Sequence, residues 1–328
     1  MKIAALYSIA EDEHIFLKVS LQSIKNLADE IIVIFDNSKC IYNKNSIEIL
    51  KKYKAKIFFL DHLSKKKKIR VPRDILLDIA RKRKVTHFIW LDCDEAFTKN
   101  FSDNGRKLIK KLRPGEKIFM PWLSMWKNYK YYRVDQKSVW SNLYKDFIVC
   151  DNPSLSFNKK VFYHEGRTQG SNNPNNCIKL EIKKEGAVMH YQFVPWNHFQ
   201  MKQAFYRCHE YNFLKFKNSE KINRRYHETL SENNPKLRKL KNNYYSHLLL
   251  KDLQNIETKN DDYYFKKIKD FFAKDISLFE DLDIWHISKL KTFFFIKKNR
   301  YPRKRLLKKI LNYLFLFKLM IKNILRQS

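Results

Sequence analysis

Four short apolar runs, at residues 2–8, 30–35, 56–60 and 86–91, are separated by stretches in which apolar side chains recur every three to four positions. Residues 12–27 place Ile15, Phe16, Val19, Ile24 and Leu27 on one side of a helix, a second helix is expected around 46–53, and a third opens at Pro72, a residue suited to a first helical turn. Strands separated by helices of this length pair in parallel through right-handed crossovers. Ligands of such sheets sit at the carboxyl ends of the strands. Two of these ends carry aspartate: Asp36 closes the second run and Asp92 the fourth. The run 3–9 is followed at once by Glu11-Asp12-Glu13, too short and too acidic a pattern for a signal peptide, and is expected as the first strand.

The fourth run ends in Asp92-Cys93-Asp94-Glu95. Buried strands rarely stop on clustered negative charge unless something positive sits there. Carboxylates are hard oxygen ligands, and two of them at i and i+2 on an extended chain suit one Mn2+ or Mg2+ whose shell is completed by a diphosphate. A second Asp-x-Asp, Asp281-Leu282-Asp283, lies in a polar, helix-like region and reads as solvated surface. Beyond the fourth run, 117–122 is strand-like and leads into an aromatic, basic region with Trp122, Trp126, Tyr129, Tyr131, Tyr132 and Trp140. Residues 166–176 read as a loop, and helical patterning resumes at Trp196 and runs to about Asp283.

A hydrophobic content of 44% with 15% aromatic residues excludes a largely disordered chain. Lys and Arg number 67 against 34 Asp and Glu, a formal charge of +33, so the surface attracts polyanions: nucleic acid, anionic lipid or a charged glycan. Five Cys with no C-x-x-C pair suggest neither a zinc ribbon nor a disulfide framework and point to a reducing cytoplasm. Residues 285–328 hold 13 Lys or Arg and no acidic residue. Projected as a helix, 305–326 sets Lys308, Lys309, Lys322 and Arg326 against Leu306, Ile310, Leu314, Phe317, Ile321 and Leu325. Its apolar stretch is too short to span a bilayer, which fits a helix lying in the membrane interface; the alternative is a helix packed on the catalytic domain.

The order of strand, helix, strand ending at Asp36, Arg73-Asp74 opening a helix and a strand ending in Asp92-Cys93-Asp94-Glu95 resembles the N-terminal half of family 2 glycosyltransferases of the GT-A fold, over about residues 1–125. The glycine-rich turns usual in that family are absent after Asp36 and around Arg73. The resemblance implies an α/β, Rossmann-like, mostly parallel sheet flanked by helices, with a catalytic domain over 1–215, a helical extension over 216–284 and the basic amphipathic tail over 285–328. It implies Asp36 near the base or ribose, Arg73 near the phosphates, and Asp92 and Asp94 on ribose and metal.

Further along, Tyr163-His164-Glu165-Gly166, and Met189-His190-Tyr191 followed by Lys202 and Tyr206, look like segments of family 2 enzymes that build lipopolysaccharide cores. By that analogy Glu165 is the general base of an inverting transfer, His190 a third metal or phosphate contact and Lys202 a donor-binding residue. The implied activity is a metal-dependent hexosyltransferase that moves a sugar from a UDP-sugar to a bacterial surface glycan, of lipopolysaccharide or capsule type, or to a lipid-linked acceptor. The implied setting is the cytoplasmic face of the inner membrane, with the tail on anionic lipid.

Each candidate has a plainer reading. Asp92 and Asp94 could cap a strand, Asp36 could start a turn, Glu165 could pair with Arg167, His190 could be structural, and Arg73 could be an exposed helix residue. Asp146 and Asp151 are rival bases, and Glu95 could bind metal. The charge and the carboxylates equally suit a metal-dependent nucleic-acid-binding or nucleic-acid-processing protein. That alternative leaves the strand order unexplained, and no nucleic-acid module is present, so no specific nucleic-acid partner is expected. Sugar-nucleotide synthesis on the same fold class would call for a glycine-rich N-terminal phosphate loop, which this chain lacks.

Overall fold

The computed structural model of the chain describes residues 1–9, 15–36, 44–60, 72–135, 138, 140–155, 177–213, 218–230, 235–258 and 262–303. Strands β1 (Ile3–Ile9), β2 (Glu30–Asp36), β3 (Lys56–Leu60) and β4 (His87–Trp90) alternate with helices α1 (Leu17–Ile24), α2 (Lys44–Lys52) and α3 (Pro72–Lys82). The four strands are parallel in the order β3-β2-β1-β4, as the alternation of strand and helix requires. The strand β8 (Leu143–Cys150) then pairs antiparallel with β4 and with β6 (Lys117–Trp126), extending the sheet on the β4 side.

Strands β1, β2 and β4 are buried on both faces, whereas the edge strand β3 is only partly covered, with Phe59 exposed. Ile3, Ala5 and Tyr7 of β1 and Val33 of β2 point to one side, where Leu17, Leu21 and Ile24 of α1 cover them. Ala4 and Leu6, with Ile32 and Ile34, point to the other, against Leu76, Leu77 and Ala80 of α3. Asp74 in the first turn of α3 and Arg81 and Lys82 in its last complement the helix dipole.

Helix α4 (Lys99–Ile109) follows the short β5 (Glu95–Phe97) and adds Phe101 and Ile109 to the α1 side. The run expected at 117–122 pairs at its start with β9 (Cys177–Lys179) and continues as β6 into the aromatic region, where it pairs with β7 (Tyr131–Arg133). Strand β10 (Val188–Phe193) pairs with β5, and Thr98 locks the end of β5 to the start of β10 by accepting from the Ala187 N–H at 2.9 Å.

The chain divides into two compact units, Met1–Gln192 with Leu237–Thr258, and Phe193–Lys236 with Lys259–Ser328. The boundary expected at 215 lies outside the described residues. Residues 237–258 return to the first, where β11 (Leu237–Lys239) pairs with β7 and α7 (His247–Thr258) reaches α1 through Asp252, which accepts from Lys18 Nζ at 2.8 Å and Gln22 Nε2 at 2.6 Å. The second unit packs α5 (Trp196–Phe213), α6 (Ser219–Leu230), α8 (Tyr263–Asp275) and α9 (Ser288–Lys298) around Cys208, Ile222, Ile268, Phe272 and Phe294.

Asp281 and Asp283, expected on a solvated surface, are half-buried. Asn223 donates to the Asp281 carbonyl at 2.9 Å and accepts from the Asp283 N–H at 2.8 Å. Asp283 also offsets the charge of Arg207, which burial pushes down to about 10 and which lies 5.1 Å from the Tyr226 ring. Among the described residues no helix is long and apolar enough to cross a membrane; the amphipathic pattern at 305–326 lies outside them.

The packing of α4 is tight enough to test. A Cβ at Gly105 would stand 2.6 Å from the ring of Phe101, which is fully buried. Gly105→Ala is expected to lose about 1–3 kcal/mol of unfolding free energy in urea despite the better helix propensity of alanine, and an unchanged midpoint would show that the ring can yield.

Candidate active site

The site grows from the end of β4. From Leu91 onward the chain alternates, with Leu91, Cys93 and Glu95 buried and Asp92 and Asp94 partly exposed. The chain turns at Cys93 and Asp94, leaving both aspartates partly exposed while Glu95 faces inward. Glu95 is fully buried, and both of its oxygens accept hydrogen bonds, Oε2 from the Asp92 N–H and Oε1 from the Trp122 indole N–H, each at 2.8 Å. The Glu95 N–H returns a bond to the Asp92 carbonyl at 3.1 Å, which closes the turn. That carbonyl also lies 3.5 Å from Ser20 Oγ, itself 2.9 Å from the Tyr7 hydroxyl. Burial pushes the Tyr7 phenol well up, so it stays neutral. The reading of Glu95 as a metal ligand is therefore replaced by that of a buried clamp, with both oxygens already engaged by N–H donors.

Two cationic or potentially cationic groups flank the aspartates. Arg73, in the first turn of α3, places Nη2 3.6 Å from Asp92 Oδ1. His190 on β10 places Nε2 3.6 Å from Asp94 Oδ2. The register of β10 against β5 sets His190 opposite Glu95, and the Tyr191 N–H donates to the Asp94 carbonyl at 2.8 Å. The His190 ring stacks on Trp122, with centroids 4.2 Å apart and planes 20° from parallel, and Lys145 Nζ lies 3.4 Å from the centre of the Trp122 ring. Trp122 thus touches Glu95, His190 and Lys145 at once.

Arg73, Asp92, Asp94 and His190, singled out from the sequence, come together in the first unit. Asp36 is the last residue of β2, in register with Leu60, at the same carboxyl edge of the sheet. Lys202 stands on α5 in the second unit, 5.9 Å from the Tyr206 ring. Glu165, the 166–176 loop and Arg167 lie outside the described residues. Of the rival bases, Asp151 is held by Arg81, which donates Nε at 3.0 Å and Nη2 at 2.8 Å, and Asp146 lies 3.4 Å from Lys117 Nζ. The sequence reading missed the roles of Glu95 and Trp122.

Among the described residues no group of three or more His, Cys, Asp or Glu side chains is arranged as a metal cage. The Asp92 and Asp94 side chains are 49% and 27% exposed, so each carboxylate keeps a solvent-facing side, and the contacts from Arg73 and His190 are looser than direct hydrogen bonds. Such a donor set fits a hard divalent cation held by one or two carboxylates that shares its shell with phosphate oxygens and water.

No family model and no curated protein matches the chain. Among solved structures it is similar to S. aureus TarS 1–349, at 13% identity over 92% of this chain and 93% of that one, with a TM-score of 0.39. The same protein in complex with UDP-GlcNAc aligns at 17% identity over 42% of this chain and 37% of that one, with a TM-score of 0.26. A glycosyltransferase involved in the glycosylation of the major capsid of PBCV-1 aligns at 12% identity over 58% of this chain and 92% of that one, with a TM-score of 0.26. The chain spans about half, 54%, of a cytidylyltransferase from Leptospira borgpetersenii, which aligns over 38% of this chain at 14% identity with a TM-score of 0.27. At these identities and TM-scores, function is read from the residues of this chain.

Glu95→Gln tests the clamp, because an amide has one acceptor oxygen where two N–H donors now point. Unfolding free energy is expected to fall by about 1–3 kcal/mol, with a shift of the Trp122 indole N–H resonance. Unchanged stability together with an unmoved resonance would show that the two bonds hold nothing in place.

Proposed function

We propose that this chain is a metal-dependent glycosyltransferase that uses a nucleoside diphosphate sugar. The observation that carries this reading is the meeting of Asp92, Asp94, Arg73 and His190 at the carboxyl end of β4, beside the ends of β1 and β2. Carboxylates repel a diphosphate unless a cation stands between them, and the exposed sides of Asp92 and Asp94 are where one would be held. A bound Mn2+ or Mg2+ supplies Lewis-acid stabilisation of the diphosphate as it leaves. Arg73 adds a planar, permanently charged donor for phosphate oxygens beside Asp92. His190, fixed by its stack on Trp122, orients Asp94. Asp36, at the end of β2, is the residue we assign to the base or ribose.

In the transfer itself an acceptor hydroxyl oxygen bonds to the anomeric carbon as the bond from that carbon to the diphosphate oxygen breaks. The electron pair leaves with the diphosphate, and the hydroxyl proton passes to a carboxylate. Glu165 is the base we assign by resemblance, giving inversion; the Asp151 carboxylate is committed to Arg81. We assign UDP as the nucleotide, Lys202 to the donor, a bacterial surface glycan or lipid-linked sugar as acceptor, and the inner face of the cytoplasmic membrane as the place of action. What supports the last is the run of 13 basic residues over 285–328 with none acidic.

A thermal-shift panel of nucleotides and nucleotide sugars, with and without Mn2+, tests this reading, with RNA and DNA duplexes alongside because of the +33 charge. A rise for one nucleoside diphosphate that requires Mn2+ is expected, since a ligand of the folded state stabilises it by mass action. A shift with nucleic acid alone, lost in salt, would favour the nucleic-acid reading instead. Asp92→Asn and Asp94→Asn are expected to lower metal-dependent turnover of the donor by about a hundredfold or more at unchanged fold, and full turnover in both would sink the metal assignment.

A further inference from the structure

Helix α9 is apolar on two opposite sides. Leu290 and Phe294 are buried in the core of the second unit, and on a helical projection Thr292, Phe295 and Ile296 fall on the far side, Phe295 being 39% and Ile296 70% exposed. A solvated helix ordinarily turns its polar residues outward. The apolar surface continues past the helix end, where Tyr301, 56% exposed, lies against Phe295 with ring centroids 4.9 Å apart.

The border of this ridge is cationic. Lys291 Nζ stands 4.9 Å from the Tyr301 ring, and Arg303, exposed, follows two residues beyond Tyr301. Asp275 pairs with Lys298 at 2.9 Å and Glu280 with Arg300 at 2.5 Å, so two of the neighbouring charges are offset within the unit. Lys291 and Arg303 add to the positive charge on this side, and from 284 to 328 the chain contains no Asp or Glu to balance them.

We propose that the outer face of α9, continued by Tyr301, docks on an anionic lipid surface. Phe295, Ile296 and Tyr301 enter the headgroup region, and Lys291 and Arg303 meet lipid phosphates, their stems lying along the apolar ridge. A protein partner fits less well, because three side chains make a small patch beside the roughly 800 Å² per partner of a stable protein interface. A membrane interface needs only a few amphipathic anchors together with positive charge. The inference rests on the membrane association proposed above but places it on residues outside the amphipathic tail.

Co-sedimentation of the full chain with phosphatidylglycerol-containing vesicles, against neutral phosphatidylcholine vesicles, is the test. The double variant Phe295→Ser, Ile296→Asp is expected to partition about tenfold more weakly on the anionic vesicles, with helical circular dichroism retained because neither side chain belongs to the buried core. Ile296→Trp is expected to bind more tightly, since indole favours the interface. Parent-like partition of both variants would overturn the proposal. Deleting 304–328 separates the two readings: if deletion abolishes binding while the double variant keeps it, the tail is the anchor and α9 is not. A parent chain that ignores both kinds of vesicle would overturn the α9 proposal and the membrane reading together, and equal binding to neutral vesicles would overturn the role of the two cations.

Discussion

The carboxylate of Glu95 lies out of contact with water between the Asp92 N–H and the Trp122 indole N–H, and this pair of hydrogen bonds joins the end of β4 to the interior of β6. A buried acceptor left unsatisfied costs about 1–3 kcal/mol, so the turn at 92–95 is held in the one shape that satisfies both oxygens. That shape presents Asp92 and Asp94 side by side. Through Trp122 it also fixes the His190 ring, whose stack would slip if the indole rotated away from Glu95. The antiparallel pairing of β10 with β5 delivers His190 to that place from 95 residues further along the chain. The candidate site thus combines the turn at 92–95, which presents Asp92 and Asp94, with strand pairing, which delivers His190.

How far this was legible in the sequence follows from the range of each interaction. The first four strands and the helices between them could be read because hydrophobic periodicity is local, and their parallel order follows from connection length. Asp92 and Asp94 could be read because the strand before them is continuous and the charges after it abrupt. The inward turn of Glu95 had a signal in the same stretch: the alternation Leu91, Cys93, Glu95 puts it on the buried side. Its partner Trp122 had none, being 27 residues away on a strand whose register depends on β8. Asp281 and Asp283 were misread for the same reason, since Asn223 and Arg207, which half-bury and engage them, come from α6 and α5. The return of 237–258 to the first unit is likewise set by a pairing, β11 on β7, that no local pattern announces.

Charge arrangement narrows the chemistry more than total charge does. A chain at +33 draws any polyanion toward it, but a nucleic-acid groove would be lined by cations, whereas the end of β4 offers two carboxylates with one guanidinium and one imidazole beside them. Such a mixed set suits a ligand that brings negative charge and takes a cation with it. Arg73 adjoins the side of Asp92 from which phosphates would approach, and α3 directs the first turn of its helix there, an end whose dipole favours anions. The field of the whole protein and the local set therefore act at different stages, the first in encounter and the second in orientation.

The exposure of Asp92 and Asp94 has a consequence for the order of events under the proposed function. Two half-exposed carboxylates hold a hard divalent ion weakly on their own, because most of its shell remains water. Oxygens of a bound diphosphate would share that shell with Asp92 and Asp94 and bring charge for the cation to neutralise, so metal and donor would each raise the affinity for the other by the same factor. A closed cage would load the metal without the donor and lose that coupling. The Glu95 clamp matters here because two ligands set the geometry only if neither can swing, and a turn fixed from inside the sheet leaves the outer coordination positions to the substrate.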